Sequence, residues 1–199
     1  LVMKAPQPST AQMFKELPPP VKSTTPASLG PATAVAPGQA VTASPAAPIP
    51  RSFSLPAAAE LCVDLARILD GRDVPALLER AAKLIDAKGI MIWSADSDGA
   101  RLRPAMCFGY PEKVMARLRP LQIDADNVTS LAFRSMQPQS LPGATASDPA
   151  AIAIPLITSS GCVGVLAAEI RQSRPHPDLL PVARIVAAQF STLVTPQDG

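Results

Sequence analysis

The side chains best suited to chemistry in this chain are one histidine and three cysteines. His176 stands in Arg174-Pro175-His176-Pro177-Asp178, the composition of a solvated loop. A nucleophilic triad needs a Ser or Cys held against a His that acts as base, so a single loop histidine gives no basis for one. Cys62, Cys107 and Cys162 form no CxxC pair, and each lies inside an apolar segment. That is the pattern of small buried hydrophobes in a reducing compartment. Structural zinc sites show paired ligands, and these three thiols and one imidazole have no such spacing. The aromatic residues Trp93, Phe108, Tyr110 and Phe133 have two readings. They either line an apolar ligand pocket or fill a core, and the core is the better expectation.

The elements that position these groups centre on Ala150–Ile170, AAIAIPLITSSGCVGVLAAEI. Ile152, Ile154 and Leu156 alternate with Ala151, Ala153 and Pro155, giving one large and one small face. Val163, Val165 and Leu166 continue the theme around Gly164, and Thr158-Ser159-Ser160-Gly161 is turn chemistry. Period-2 alternation around a polar turn predicts a β-hairpin inside a sheet. A membrane-spanning helix wants roughly 20 continuous apolar residues, and the turn and Pro155 interrupt this stretch. Pro155 donates no ladder hydrogen bond, so a bulge or an unpaired position is expected there.

Upstream, apolar residues at 61, 65 and 68/69 predict a helix from Pro56 to about Leu69. Gly71 is expected to close it in a left-handed cap. Asp73 is expected to cap a second helix with Pro75 in its first turn and a stripe of Leu77, Leu78, Ala81, Leu84 and Ile85, stopped by Gly89. Strands are predicted at Ile90–Ser94 and Arg101–Phe108, the latter with Leu102, Met106 and Phe108 on one face. A short helix follows Pro111 and carries Val114, Met115 and Leu118. A brief strand at Leu121–Asp124 precedes a helix capped by Asp126 or Asn127, with Val128, Leu131, Ala132 and Met136 apolar. A short strand near Gln139–Leu141 precedes the hairpin. The last helix starts at Asp178. Its Leu179, Ala183, Val186, Phe190 and Leu193 make a heptad-like seam, which Val182, Ile185 and Val194 widen.

Composition divides the chain of 199 residues. Twelve of 24 prolines fall at or before Pro56, in an Ala/Ser/Thr background that offers too few large apolar groups to offset chain entropy. Residues 1–52 are therefore expected to be a disordered Pro/Ala-rich linker, residues 53–195 one domain and 196–199 a tail. Gln12–Leu17 is the one piece of the linker that reads as a helical turn. Up to Ser52 there are four Lys/Arg and one Glu, +3; the rest has fourteen Lys/Arg and fifteen Asp/Glu, −1. A near-neutral domain with no basic stripe excludes nucleic acid as the expected partner. No signal peptide is visible, and the opening Leu1 suggests a fragment. With the unpaired thiols this points to the cytoplasm, with tethering to an upstream membrane or signalling element left open.

Several fragments, in order, resemble the GAF domain family. Leu77-Leu78-Glu79-Arg80-Ala81-Ala82-Lys83-Leu84-Ile85 followed by Gly89-Ile90-Met91-Ile92-Trp93 looks like the family's helix and first strand. Leu102-Arg103-Pro104-Ala105 through Gly109-Tyr110 resembles the second strand and its exit turn. Asn127–Arg134 is similar to the helix that covers the family's ligand. Ile154-Pro155-Leu156 and Gly161–Leu166 resemble its hairpin strands. The resemblance covers about Pro56 to Val194. It implies an α+β fold, an antiparallel sheet with helices on both faces, and a pocket roofed by the middle helices. It makes Trp93, Phe108, Tyr110, Asn127 and Phe133 the candidate ligand-binding residues.

Family members bind cyclic nucleotides, haem, bilins or metabolites. Bilin attachment uses a cysteine beside a histidine, which none of the three cysteines has. Cyclic-nucleotide sites carry Asn-Lys…Phe…Asp-Glu; here Asn127 and Phe133 are present without the Lys or the acidic pair. The cofactor is thus left unspecified. The resemblance implies a non-enzymatic regulatory domain that binds a small effector or forms a homodimer through its terminal helices. A degenerate fold used only for protein–protein pairing is the alternative. A free methionine sulfoxide reductase, which needs cysteines able to resolve a sulfenic acid, is a third.

Overall fold

The computed structural model describes residues 53–68 and 70–194. The expectations for residues 1–52, including the helical turn at Gln12–Leu17, for Leu69 and for the tail lie outside the described residues. Helix α1, Leu55–Ala66, starts one residue before Pro56, because the Ser54 side chain accepts a hydrogen bond from the Ala57 amide at 3.2 Å. It is closed by Arg67 in right-handed conformation. Gly71 instead opens a 3₁₀ turn, Gly71–Asp73, that the Asp70 carboxylate caps at the Arg72 amide, 2.9 Å. The expected left-handed glycine cap is therefore absent. Helix α2, Val74–Leu84, has Asp73 at its N-cap position without a side-chain bond, the preceding 3₁₀ turn having already set its geometry. Its Leu77, Leu78, Ala81 and Ile85 are buried as the periodicity implies.

Strand β1, Ala87–Ala95, begins two residues before Gly89. The chain reverses at Asp86, a non-glycine residue at φ 51°, and Arg171 braces it with an ion pair of 3.5 Å. Strand β2, Arg101–Phe108, pairs antiparallel with β1. Short helix α3, Glu112–Met115, strand β3, Leu121–Gln122, helix α4, Val128–Ser135, and strand β4, Gln139–Leu141, follow in the expected order. The hairpin is β5, Ala150–Thr158, and β6, Gly161–Ile170. Helix α5, Leu179–Phe190, ends the described domain. The sheet order is β3-β2-β1-β6-β5-β4, antiparallel throughout.

The alternation within the hairpin sorts the interior into two clusters. Ile90, Ile92, Ile152, Ile154, Leu156, Leu166 and Ile170 face α1, α2 and α5. Met91, Trp93, Ala151, Ala153, Val165 and Ala167 face the opposite way, towards α4. One assignment differs from the pattern. Ile92 pairs with Met106, but Trp93 pairs with Pro104, so Ala105 is an extra residue. Such a bulge flips the faces of a strand. Leu102 accordingly packs with Trp93, while Met106 and Phe108 pack on the α1/α2/α5 side.

Pro155 is in register with Val165, and the bulge lies one rung beyond it, between Leu156 and Ile157. The hairpin closes on Thr158 and Gly161, and hydrogen-bonding direction alternates along an antiparallel strand. Pro155 thus turns its backbone towards the far side of β5, where β4 reaches only Ala153. A missing N–H costs nothing there.

Helices α1 and α5 pack together. Before their first residues, Phe53 and His176 meet edge to face with ring centroids 5.9 Å apart. Beyond their last residues, Ile68 and Leu193 line one cleft. The two helices therefore run parallel, with the domain's first and last described residues at opposite ends. His176 is a partly buried packing residue whose Nδ1 accepts from the Asp178 amide at 3.2 Å, more enclosed than an exposed loop histidine. Val182 and Val194 are core residues, which leaves Ile185, 43% exposed, as the one member of the widened α5 surface in solvent.

Candidate functional site

The small face of the sheet, under α3 and α4, is the part of the domain where polar groups enter an apolar layer. Ala151, Ala153 and Ala167 lower the floor beneath α4. Helix α4 is fastened over that floor by its own sequence. The Asn127 Oδ1 accepts from the Ser130 amide at 2.8 Å, the Ser130 hydroxyl donates to the Gln122 carbonyl at 2.8 Å, and Arg134 donates to the carbonyls of Ile123 and Ala125. Met136 ends the helix in left-handed conformation at φ 52° and is exposed, not buried as its place in the apolar stripe suggests. Val128 and Ala132 are buried as expected.

Tyr110 arrives at this face through Gly109, at φ 84°, where a Cβ would stand 2.3 Å from the Lys88 carbonyl oxygen. Only glycine allows that turn. The Tyr110 ring then lies over Gly89, where a Cβ would come within 2.9 Å of the ring carbons. Gly89 is paired with Glu169 of β6, and Cys107 is two rungs along β2, opposite Met91. Cys107, Tyr110 and Glu169 therefore form a half-buried polar row across three strands. Burial pushes the Glu169 carboxyl above its ordinary range, with Lys88 partly offsetting it. Burial, then the Glu169 charge and Cys107, pushes the Tyr110 phenol far upwards, so it stays protonated as a donor. The row sets a half-buried carboxyl at the edge of an apolar surface, the kind of lining that small-molecule sites have.

The five candidate residues do not gather in one place. Trp93 is fully buried in the layer beneath α4, and Tyr110 and Phe133 pack against that layer. Asn127 is buried on the same side, where its side-chain oxygen is occupied as the cap of α4. Phe108 is on the opposite face, carried there by the Ala105 bulge. Glu169 was missed by sequence reasoning. Its signal is a lone charge closing the apolar run of β6, Val163–Ile170.

The thiols are placed apart. Cys62 is on α1, Cys107 lies at the rung of Met91, and Cys162 lies beyond the rung of Ser94. Five residues along strands separate the last two, on the order of 15 Å at the rise of a strand. A disulfide needs Cα atoms within about 7 Å, so Cys107 and Cys162 cannot resolve one another. Burial pushes all three thiols upwards, which lowers their nucleophilic thiolate fraction. Among the described residues no three His, Cys, Asp or Glu side chains come together as a metal cage, and no helix is long and apolar enough to cross a membrane.

No protein-family model and no curated protein matches the sequence. Solved structures do match. The GAF domain of an Acinetobacter phosphoenolpyruvate-protein phosphotransferase is 14% identical over 70% of this chain and 90% of that one, with TM-score 0.60. The GAF domain of nlh2 from A. aeolicus, solved in an inactive state, is 13% identical over 69% of this chain and 93% of its own, with TM-score 0.57. Residues 122 to 287 of a methyl-accepting chemotaxis protein are 16% identical over 66% of this chain and 93% of that one, with TM-score 0.54. At these identities the likeness establishes the fold. The described domain is α+β with the GAF architecture, an antiparallel sheet with helices on both faces.

Proposed function

We propose that this domain is a non-enzymatic regulatory module that binds a small effector on the α3/α4 face and relays its presence along α1 and α5. The observation that carries the reading is Glu169, a half-buried carboxyl set beside Tyr110 on an otherwise apolar and small-residue face. A half-buried carboxyl whose titration burial has shifted is a candidate recognition group. The effector is a small molecule with an apolar body and an amine or hydroxyl directed at Glu169. The parallel α1 and α5 give the binding event an outlet at each end of the domain. The three thiols, unpaired in the structure, suit a cytoplasmic setting. The likeness to a domain solved in an inactive state and to a chemotaxis protein supports a signalling role.

Native mass spectrometry of the purified full chain tests it. A co-purified small-molecule mass is expected in the wild type and is reduced in Glu169→Gln and Tyr110→Phe. Ligand retained fully in both variants would move the site elsewhere.

A second reading, pairing of two copies through the terminal helices, is favoured by the outer surface of α5. Pro181, Ile185 and Ala188 are exposed at a 4-3 spacing there, and Ala59, Val63 and Ala66 are exposed at the same spacing on α1. Small and apolar residues at heptad-like intervals suit helix–helix contact about a two-fold axis. Ile185→Glu is the clean probe, since Val182 is needed inside the domain. Sedimentation at high micromolar concentration should show dimers that the variant lacks; a monomeric wild type ends this reading.

A further inference from the structure

Helix α5 opens without help from its own cap residue. Asp178 stands at the N-cap position, and its side chain makes no capping bond. His176 takes over that role. Its imidazole Nδ1 accepts from the Asp178 amide at 3.2 Å, and its carbonyl accepts from the Leu179 amide at 3.0 Å. One residue thus meets two of the N–H groups that a helix start leaves unpaired. An Nδ1 that accepts belongs to a neutral imidazole with its proton on Nε2. The same ring meets Phe53 edge to face, 5.9 Å between centroids, and Phe53 packs on the core just ahead of α1. Pro175 and Pro177 flank the histidine and restrict its backbone. A change in its bonding has to be absorbed by the ring.

We infer that His176 is a pH-sensitive latch between the starts of α1 and α5, closed when neutral and opened by protonation. A proton on Nδ1 turns the acceptor into a donor facing the Asp178 amide. It also puts a positive charge at the positive end of the α5 dipole. The ring is 27% exposed, so solvent can deliver that proton. The Asp178 carboxylate, 3.5 Å from Nδ1, is the acceptor within reach of the new N–H. A ring that swings to it gives up both the Asp178 amide and the edge-to-face contact with Phe53. Few charges face the ring among the described residues. Phe53 brings none, α1 has none before Glu60, the first turn of α5 has none after Asp178, and Arg174 in the same loop is exposed. Asp178 favours the protonated ring, and the helix start opposes it. Acid thus frees the opening turns of both terminal helices together. This depends neither on an effector at Glu169 nor on pairing of copies.

The test is NMR of the full chain from about pH 8 to about pH 5, the range in which histidine changes charge. His176 is the sole histidine, so its imidazole signals are unambiguous. The Asp178 amide and the Phe53 ring are expected to shift with the same midpoint as the imidazole. Hydrogen exchange of the Asp178 amide, corrected for the intrinsic effect of pH, should be about fivefold faster at the acid end. His176→Asn keeps a side-chain acceptor two residues ahead of that amide and cannot titrate. It should hold the amide and Phe53 constant across the range. His176→Phe keeps a ring against Phe53 but has no acceptor, so its Asp178 amide should exchange fast at every pH. An Asp178 amide or a Phe53 ring that does not follow the imidazole would overturn the inference. So would an unaltered pH response in His176→Asn.

Discussion

The two faces of the sheet are made from the same strands and are built differently. The face towards α1, α2 and α5 carries Ile90, Ile92, Ile152, Ile154, Leu156 and Leu166, capped by the fully buried Phe190. The face towards α4 carries Ala151, Ala153, Ala167 and Gly89, with Cys107, Tyr110 and Glu169 along one margin. Large branched residues on one side hold the domain together through area removed from water. Small residues on the other leave height above the strands, and polar groups are admitted there. Tight packing and the admission of polar groups are thus separated by the two-residue period of a strand.

The comparison breaks most visibly at Phe190. Replacing it by Ala should destabilise the domain by about 3–5 kcal/mol, read from urea unfolding; a loss below about 1 kcal/mol would show the large face to be less tightly packed than its burial implies. On the small face the sign of the size change reverses. Ala153→Leu places extra volume beneath α4 and should cost about 1–3 kcal/mol. Free accommodation of the larger side chain, seen as an unchanged denaturation midpoint, would reveal standing room between α4 and the sheet.

Asn127→Ala sharpens the division between cap and ligand group. Loss of the bond to the Ser130 amide should cost about 1 kcal/mol whether or not effector is present. A variant of wild-type stability with weakened effector binding would reassign Asn127 to the ligand.

The smallest effect is the pH response of Glu169. Its carboxyl is raised in the folded domain by burial, against about 4.3 for an unperturbed Glu. Above that unfolded value the folded state still holds a proton that the unfolded chain has released. Stability therefore falls as pH rises through the window between the two. Glu169→Gln should flatten that slope in unfolding curves taken from pH 4 to 7; an unchanged slope would assign it to other groups.

Much of this was legible from residues alone. The alternation of Ile152, Ile154 and Leu156 with alanines foretold both the hairpin and its two faces. The Leu77-Leu78-Ala81 stripe placed α2. What was harder to read were backbone events. The Ala105 bulge carries no glycine, and its one signature is the neighbouring Pro104, a residue strands admit at bulges; it moves Phe108 away from Trp93. The reversal at Asp86 uses a non-glycine left-handed position, so β1 starts ahead of Gly89 and takes that glycine in. Gly71 illustrates the converse, a glycine in a 3₁₀ turn where φ > 0 is not required. Glu169 was visible as a lone charge, but its meaning depends on Tyr110 folding across Gly89, a contact between distant parts of the chain.

Pro155 bears on a different matter, how the protein keeps from adding to itself. From Ile154 to Thr158 one side of β5 has no neighbouring strand in the sheet, with Ile157 and Met136 exposed close by. Unpaired apolar strand margins template the growth of cross-β aggregates. Pro155 is itself buried there, and its ring nitrogen withholds the donor an incoming strand would need. The residue that looked like a fault in a central strand stands on an unpaired margin that is covered up to Leu156 and exposed only from Ile157.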